Sequence, residues 1–244
     1  MSTREDSLRY CNVAGDEVTT TWDLARAHDI VDGLPVRIPP SFRRQRSYPG
    51  LFWASTHRRM LVYESLLELD RLWLADFDPT VERIATQPFE VRSGNGLDAF
   101  KHVPDIMLVE ADNTVTVIDV KPEGFISKPA VKAQFDRTRS LCRTKGWNYE
   151  VFTGGDPVEL RNVRALAIGR HRERIPPEHV QEARVALLSR SVALGDAIAR
   201  RPASCEENMW RVAVLSCIWF GEVEADLRVP LSARTILSPR HQAT

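Results

Sequence analysis

The sequence predicts an α/β fold, a mixed sheet with helices packed on it, and three features carry that expectation. Two β-rich apolar runs, His102 to Val109 and Thr114 to Lys121, are joined by the turn-forming tetrad Glu110-Ala111-Asp112-Asn113 and read as a hairpin. A broad apolar stripe at helical spacing, through Leu61, Val62, Leu66, Leu67, Leu69, Trp73 and Leu74, lies upstream. A second helix, Lys128 to Lys145, and a strand, Tyr149 to Thr153, follow the hairpin, so helices and strands alternate.

Taken in order, residues 1–50 read as a partly irregular arm, with a short helix around Thr21 to His28 and proline spacing at Pro35, Pro39 and Pro40. Residues 51–175 form the expected α/β core. Its first helix, Met60 to Leu74, is stopped by Asp78-Pro79, and Thr80 to Arg92 supplies a strand through Val81, Ile84 and the Phe89/Val91 alternation. Ser93-Gly94-Asn95-Gly96 is a turn, and Gly154-Gly155-Asp156-Pro157 ends the last strand of the core. The Pro176-Pro177 pair marks a linker to a third segment, residues 176–244. That segment is read as a long helix, Glu178 to Ala199, an amphipathic helix, Cys205 to Trp219, and a small wing around Glu222 to Ala225 and Thr235-Ile236-Leu237.

A chain of 244 residues holds one large or two modest domains with a real core. No apolar run approaches membrane-spanning length, and the polar stretch Met1 to Tyr10 lacks a signal-peptide core, so a cytoplasmic protein without a membrane partner is expected. Cys11, Cys142, Cys205 and Cys217 show no metal-ligand spacing and read as free thiols, so a zinc site is not expected. Formal net charge is zero but unevenly spread. Between Leu34 and Tyr63 there is no acid, while Arg37, Arg43, Arg44, Arg46, Arg58 and Arg59 are interleaved with Phe42, Tyr48, Phe52 and Trp53. A second basic stretch runs through Lys121, Lys128, Lys132, Arg137, Arg139, Arg143 and Lys145. Flanking one centre on both sides, these stretches favour DNA as a partner, with Arg43, Arg44, Arg46, Arg58, Lys128 and Lys132 as candidate phosphate contacts.

The centre itself lies on the hairpin. Asp105, stiffened by Pro104, starts the first strand, and Asp119 and Lys121 end the second. In an antiparallel pair those ends are neighbours, and residues two apart share a sheet face. Two carboxylates and an ammonium at one edge of an apolar hairpin can hold a divalent cation and activate a water beside it. Glu64 is three residues from both Leu61 and Leu67, at the apolar stripe, whereas Glu68 and Arg71 fit a solvated face. A carboxylate at the stripe needs a partner, either that cation or an arginine.

The order Glu64, Pro104-Asp105, Asp119-Val120-Lys121 resembles the PD-(D/E)xK nuclease core, and the surrounding text is similar to its TnsA-type branch, the endonuclease subunit of heteromeric transposases. Tyr48 to Trp53, Tyr63 to Glu68, Asp76 to Pro79, Thr86 to Phe89, Cys142 to Trp147 and Trp210 to Thr235 carry the likeness, which covers roughly residues 45–237. Some members of that family have an amide where Asp119 stands, so this chain is closer to the general nuclease pattern. The resemblance implies a restriction-endonuclease-like mixed sheet flanked by helices and a small C-terminal winged-helix-like module that binds protein. It implies Mg²⁺, with Mn²⁺ as substitute, held by Glu64, Asp105, Asp119 and the Val120 carbonyl, with Lys121 orienting the attacking water. It also implies cleavage at the 5′ ends of a mobile element beside a DDE transposase, with an AAA+ ATPase as docking partner, in association with the bacterial nucleoid. A stand-alone restriction- or defence-type endonuclease and a DNA-bound scaffold with a vestigial site are the alternatives. Only the first of these predicts cleavage without a partner, and the intact acid-acid-acid-lysine set argues against the scaffold.

Overall fold

The computed structural model describes residues 6–37, 48–94 and 99–240, and is a mixed α/β protein with several antiparallel sheets and helices. The described chain forms two compact units. The first runs to Asp76 and from Thr80 to Gly154; the second takes Phe77–Pro79 and the chain from Gly155 onward. The expected boundary at Pro176-Pro177 therefore falls inside the second unit, where Ile175 is part of the buried core.

In the first unit the elements are β1 (Ser7–Cys11), β2 (Glu17–Thr21), α1 (Ala27–Val31), β3 (Gly50–Ala54), β4 (Arg59–Tyr63), α2 (Leu66–Phe77, its last residue in the second unit), β5 (Val81–Thr86), β6 (Glu90–Ser93), β7 (Phe100–His102), β8 (Ile106–Glu110), β9 (Val115–Val120), α3 (Glu123–Ile126), α4 (Pro129–Thr144) and β10 (Asn148–Phe152). Strands in the order β10-β9-β8-β5 make the central sheet, antiparallel except for the parallel pair β9/β10. A second sheet, antiparallel throughout, has the order β2-β1-β6-β7, and β3 pairs with β4 alone.

The β8–β9 hairpin forms where the sequence places it. Its turn needs a left-handed residue, and Asn113 (φ 66°) supplies one, while the Asp112 side chain accepts from the Thr114 N–H. Both of its faces are buried, which explains the near-continuous apolar runs. Met107, Val109, Val115 and Val117 meet the second sheet through Leu8 and Val91, together with Phe89 just before β6, Ile30 of α1 and Leu141 of α4. Ile106, Leu108, Ile118 and Val120 on the other face meet Leu72 and Ala75 of α2 and Phe52 and Leu61 of the β3–β4 hairpin.

Several elements differ from the sequence expectation. The first described stretch is an integral part of the unit: Leu8, Tyr10, Trp22, Ile30 and Val31 are core residues, and Thr21 ends a strand, with the helix starting only at Ala27. Thr80 to Arg92 is two strands in two sheets, divided at Gln87 (φ 42°) before the N–H-less Pro88. Met60 to Tyr63 is strand, because Leu61 packs inward from the hairpin while Met60 faces solvent. The helix starts later, at Leu66, where Ser65 accepts from the Glu68 N–H as its cap. Arg43, Arg44, Arg46, Pro39 and Pro40, and Asn95-Gly96 of the expected turn, lie outside the described residues.

The second unit holds α5 (Pro157–Leu166), α6 (Pro177–Leu188), β11 (Val192–Ala193), α7 (Leu194–Ala199), α8 (Glu207–Trp219), β12 (Val223–Glu224) and β13 (Ile236–Pro239), the strands ordered β11-β13-β12. The expected long helix from Glu178 is interrupted at Leu188, and the chain turns through β11 before α7. Trp210 and Trp219 fill the core, Trp210 Nε1 donating to the Ala197 carbonyl at 3.0 Å. Buried Asn162 donates to the carbonyls of Leu227 and Val229, fastening the loop between β12 and β13. All four cysteines are free thiols, and among the described residues no helix is long and apolar enough to cross a membrane.

Because Ile118 is fully buried between β9 and α2, Ile118→Ala is expected to lower stability by about 2–5 kcal/mol through lost burial and the cavity left behind. Urea denaturation followed by circular dichroism measures it.

Candidate functional site

The site is built at the end of the central sheet. The β8–β9 register pairs Ile106 with Ile118, and the Asp105 N–H continues the ladder to the Ile118 carbonyl at 3.1 Å. Asp105 and Asp119 are thereby set across from one another. The Val120 N–H donates to Asp105 Oδ2 at 2.7 Å, and the Lys121 N–H to the Phe152 carbonyl of β10, so the chain past β9 stays in the sheet as far as the lysine. These residues line a cleft of about 360 Å³ whose walls also include Arg37, Lys101, His102, Gln134 and Phe135. Three cations, Arg37, Lys101 and Lys121, therefore face the same cleft as Asp105 and Asp119.

Asp105 has the most perturbed environment of the acids. Burial pushes its carboxyl up to about 8, and the charge of Glu68 raises it further; the Val120 N–H and the Lys121 ammonium oppose the rise. The helix acid that bears on Asp105 is thus Glu68, and the solvated face expected for it is not observed: it is 7% exposed. Ser65-Leu66-Leu67-Glu68 is a capping box, in which the Glu68 carboxylate accepts from the Ser65 hydroxyl (2.9 Å) and the Glu64 N–H (2.8 Å). Burial raises its pKa too. Glu64 stands in the turn before α2, and its carboxylate meets Arg37 at 3.0 Å, the arginine pairing that was its other reading. The S-x-x-E signature was present in the sequence and would have placed the helix start after Glu64 and given Glu68 its inward direction.

Asp119 is 2% exposed and lies deeper than a strand-end position suggests. The Tyr149 hydroxyl donates to its Oδ2, and His102 Nε2 stands 2.8 Å from Oδ1 and 3.0 Å from Oδ2. Gln134 Nε2 in turn lies 2.8 Å from His102 Nδ1. Burial and the charge of Asp119 push the Tyr149 phenol well above its usual range, so it remains a donor. No sequence spacing announces this group, since its members come from β7, α4, β9 and β10.

Of the candidate phosphate contacts, Lys128, Lys132 and Arg58 are exposed, Lys128 lying over the Phe125 ring at 4.3 Å. Lys145 has a structural role instead, donating to the carbonyls of Trp22 and Asp23.

Among the described residues no three His, Cys, Asp or Glu side chains stand together as a closed ligand set. What suits a hard cation is Asp105, whose ionised form burial and the charge of Glu68 disfavour, and Asp119 across from it, both lining the cleft. An acid whose folded pKa lies above its unfolded value carries an extra proton in the folded state between the two. The cation-free protein should accordingly lose stability as pH rises from about 4 to about 8 through Asp105. A cation displaces that proton, so its affinity should tighten by up to about tenfold per pH unit below about 8 and level off above. Thermal melts with and without Mg²⁺ should show a larger gain at pH 9 than at pH 6; an equal gain at both would remove Asp105 from the site.

No family model matches this chain, and no curated protein matches it in sequence.

Proposed function

We propose that the protein is a metal-dependent endodeoxyribonuclease subunit of the TnsA type, cutting double-stranded DNA at the 5′ ends of a mobile element beside a DDE transposase and an AAA+ ATPase. The observation that carries the reading is the placement of Asp105 across from Asp119 at the end of β8 and β9, both lining a cleft with Lys121, Arg37 and Lys101, while the charge of Glu68 on α2 bears on Asp105. The first unit, with its β10-β9-β8-β5 order and flanking helices, is read as a restriction-endonuclease-like core. The second, four α-helices and a three-stranded sheet, is read as a winged-helix-like module for protein partners.

Asp105 and Asp119, with Glu68 in the role that Glu64 was expected to play, would hold Mg²⁺ or Mn²⁺; the Val120 carbonyl remains a candidate oxygen. The ion supplies Lewis-acid polarisation of the phosphate and a more acidic water. Lys121 orients the attacking water and offsets the charge that grows on the phosphate oxygens. Arg37 and Lys101 attract the phosphodiester to the cleft; Arg58, Lys128 and Lys132 are exposed and, with Arg43, Arg44 and Arg46, are kept as candidate phosphate contacts.

Asp105→Ala or Asp119→Ala should abolish Mg²⁺-dependent cleavage while duplex binding persists, and Lys121→Ala should slow it by roughly 10²–10³ without loss of cation affinity. Glu68→Gln should weaken cation binding, and Glu64→Gln should leave it close to wild type. Cleavage assays with the transposase partner present, alongside calorimetry, read these outcomes; an Asp variant that cuts at the wild-type rate overturns the assignment.

Neutralising Arg43, Arg44 and Arg46 together should lower DNA affinity and flatten its salt dependence by up to roughly three contacts, at about −0.9 per contact. Binding isotherms over a salt series measure the slope.

A further inference from the structure

We propose that His102 and Tyr149 are positioning residues that clamp the Asp119 carboxylate by donated hydrogen bonds, with Gln134 holding the His102 ring, and aim its free acceptor capacity at a cation in the cleft. The inference rests on the endonuclease reading above and names residues that the motif does not contain.

Four elements from two sheets and a helix converge on this one carboxylate: His102 from β7, Tyr149 from β10, Gln134 from α4, with Asp119 itself on β9. His102 is 8% exposed, so the clamp works away from bulk water. A carboxylate offers about four lone-pair sites. Oδ2 takes the Tyr149 hydroxyl and the longer His102 contact, whereas Oδ1 takes only the His102 contact at 2.8 Å, so capacity remains on Oδ1. The clamp also fixes the imidazole. Asp119 can only accept, so Nε2 must carry the proton; the Gln134 amide then donates to the bare Nδ1. Both ring nitrogens are occupied, which leaves His102 no free position from which to act as a general base toward a water. The Arg139 guanidinium, 5.3 Å above the Tyr149 ring, steadies the phenol from outside. Outer partners that orient a metal ligand in this way change metal affinity without touching the metal.

The test uses the full chain. Nitrogen-15 NMR of the His102 ring should show protonated Nε2 and bare Nδ1; a ring protonated at Nδ1 overturns the clamp as drawn. Calorimetry with Mn²⁺ alone should give roughly ten- to hundredfold weaker binding for His102→Leu and Tyr149→Phe. His102→Gln, which keeps an N–H near the position of Nε2, should stay within about threefold of wild type. Should His102→Leu fail to fold, Tyr149→Phe, which removes one oxygen and keeps the ring, carries the test. Wild-type affinity in Tyr149→Phe and His102→Leu, or equal losses in His102→Gln and His102→Leu, overturns the proposal. A wild-type protein that binds no Mn²⁺ overturns the endonuclease reading along with it, a result distinct from unaffected variants of a protein that binds.

Discussion

The antiparallel β8–β9 ladder, buried on both faces, is the constraint from which the rest of the first unit follows. Side chains alternate with a period of two, so a slip of one residue would exchange Met107 and Val109 for Ile106 and Leu108 against entirely different neighbours. Both packing layers oppose such a slip. The register in turn decides that Asp105 and Asp119 meet at one end of the sheet and that Lys121 follows them. The chemistry of the cleft is a by-product of a ladder selected by hydrophobic packing on two sides.

That placement has an electrostatic cost. Asp105 sits where burial and the charge of Glu68 both disfavour its ionised form, and Glu68 is itself desolvated. Such an arrangement is poor for stability, because burial and like charge both disfavour the ionised form. Asp119 is handled differently: its charge is met by donors from two other strands, His102 of β7 and Tyr149 of β10. The two carboxylates of the hairpin thus face opposite environments across one ladder, Asp105 disfavoured by burial and Asp119 supplied with donors.

The second unit rests on ordinary means. Two tryptophans and an apolar α8 build its core, and one buried asparagine fastens the loop that joins its small strands. Its acids find arginines within the unit, as in Arg172–Glu222 and Arg240–Glu224. No cluster comparable to Asp105, Asp119 and Lys121 lies among its described residues.

Local pattern determined much of this protein. The hairpin, α4, β10 and α8 were legible because each combines a clear apolar period with a turn or proline at its ends. Asp105, Asp119 and Lys121 were legible as neighbours because strand pairing is a short-range consequence of that hairpin. Tertiary structure decided the rest. A run such as Met60 to Leu74 satisfies both periods, and only packing of Leu61 in one layer and Leu72 in the same core from a different element divides it into strand and helix. The division moves Glu64 to Arg37 and Glu68 to Asp105, although the capping box at Ser65 held the clue. His102, Gln134 and Tyr149 stand 17, 15 and 30 residues from Asp119 and belong to three other elements. Side chains so distributed become neighbours only when two sheets and a helix close around one carboxylate, a long-range event that no local spacing records.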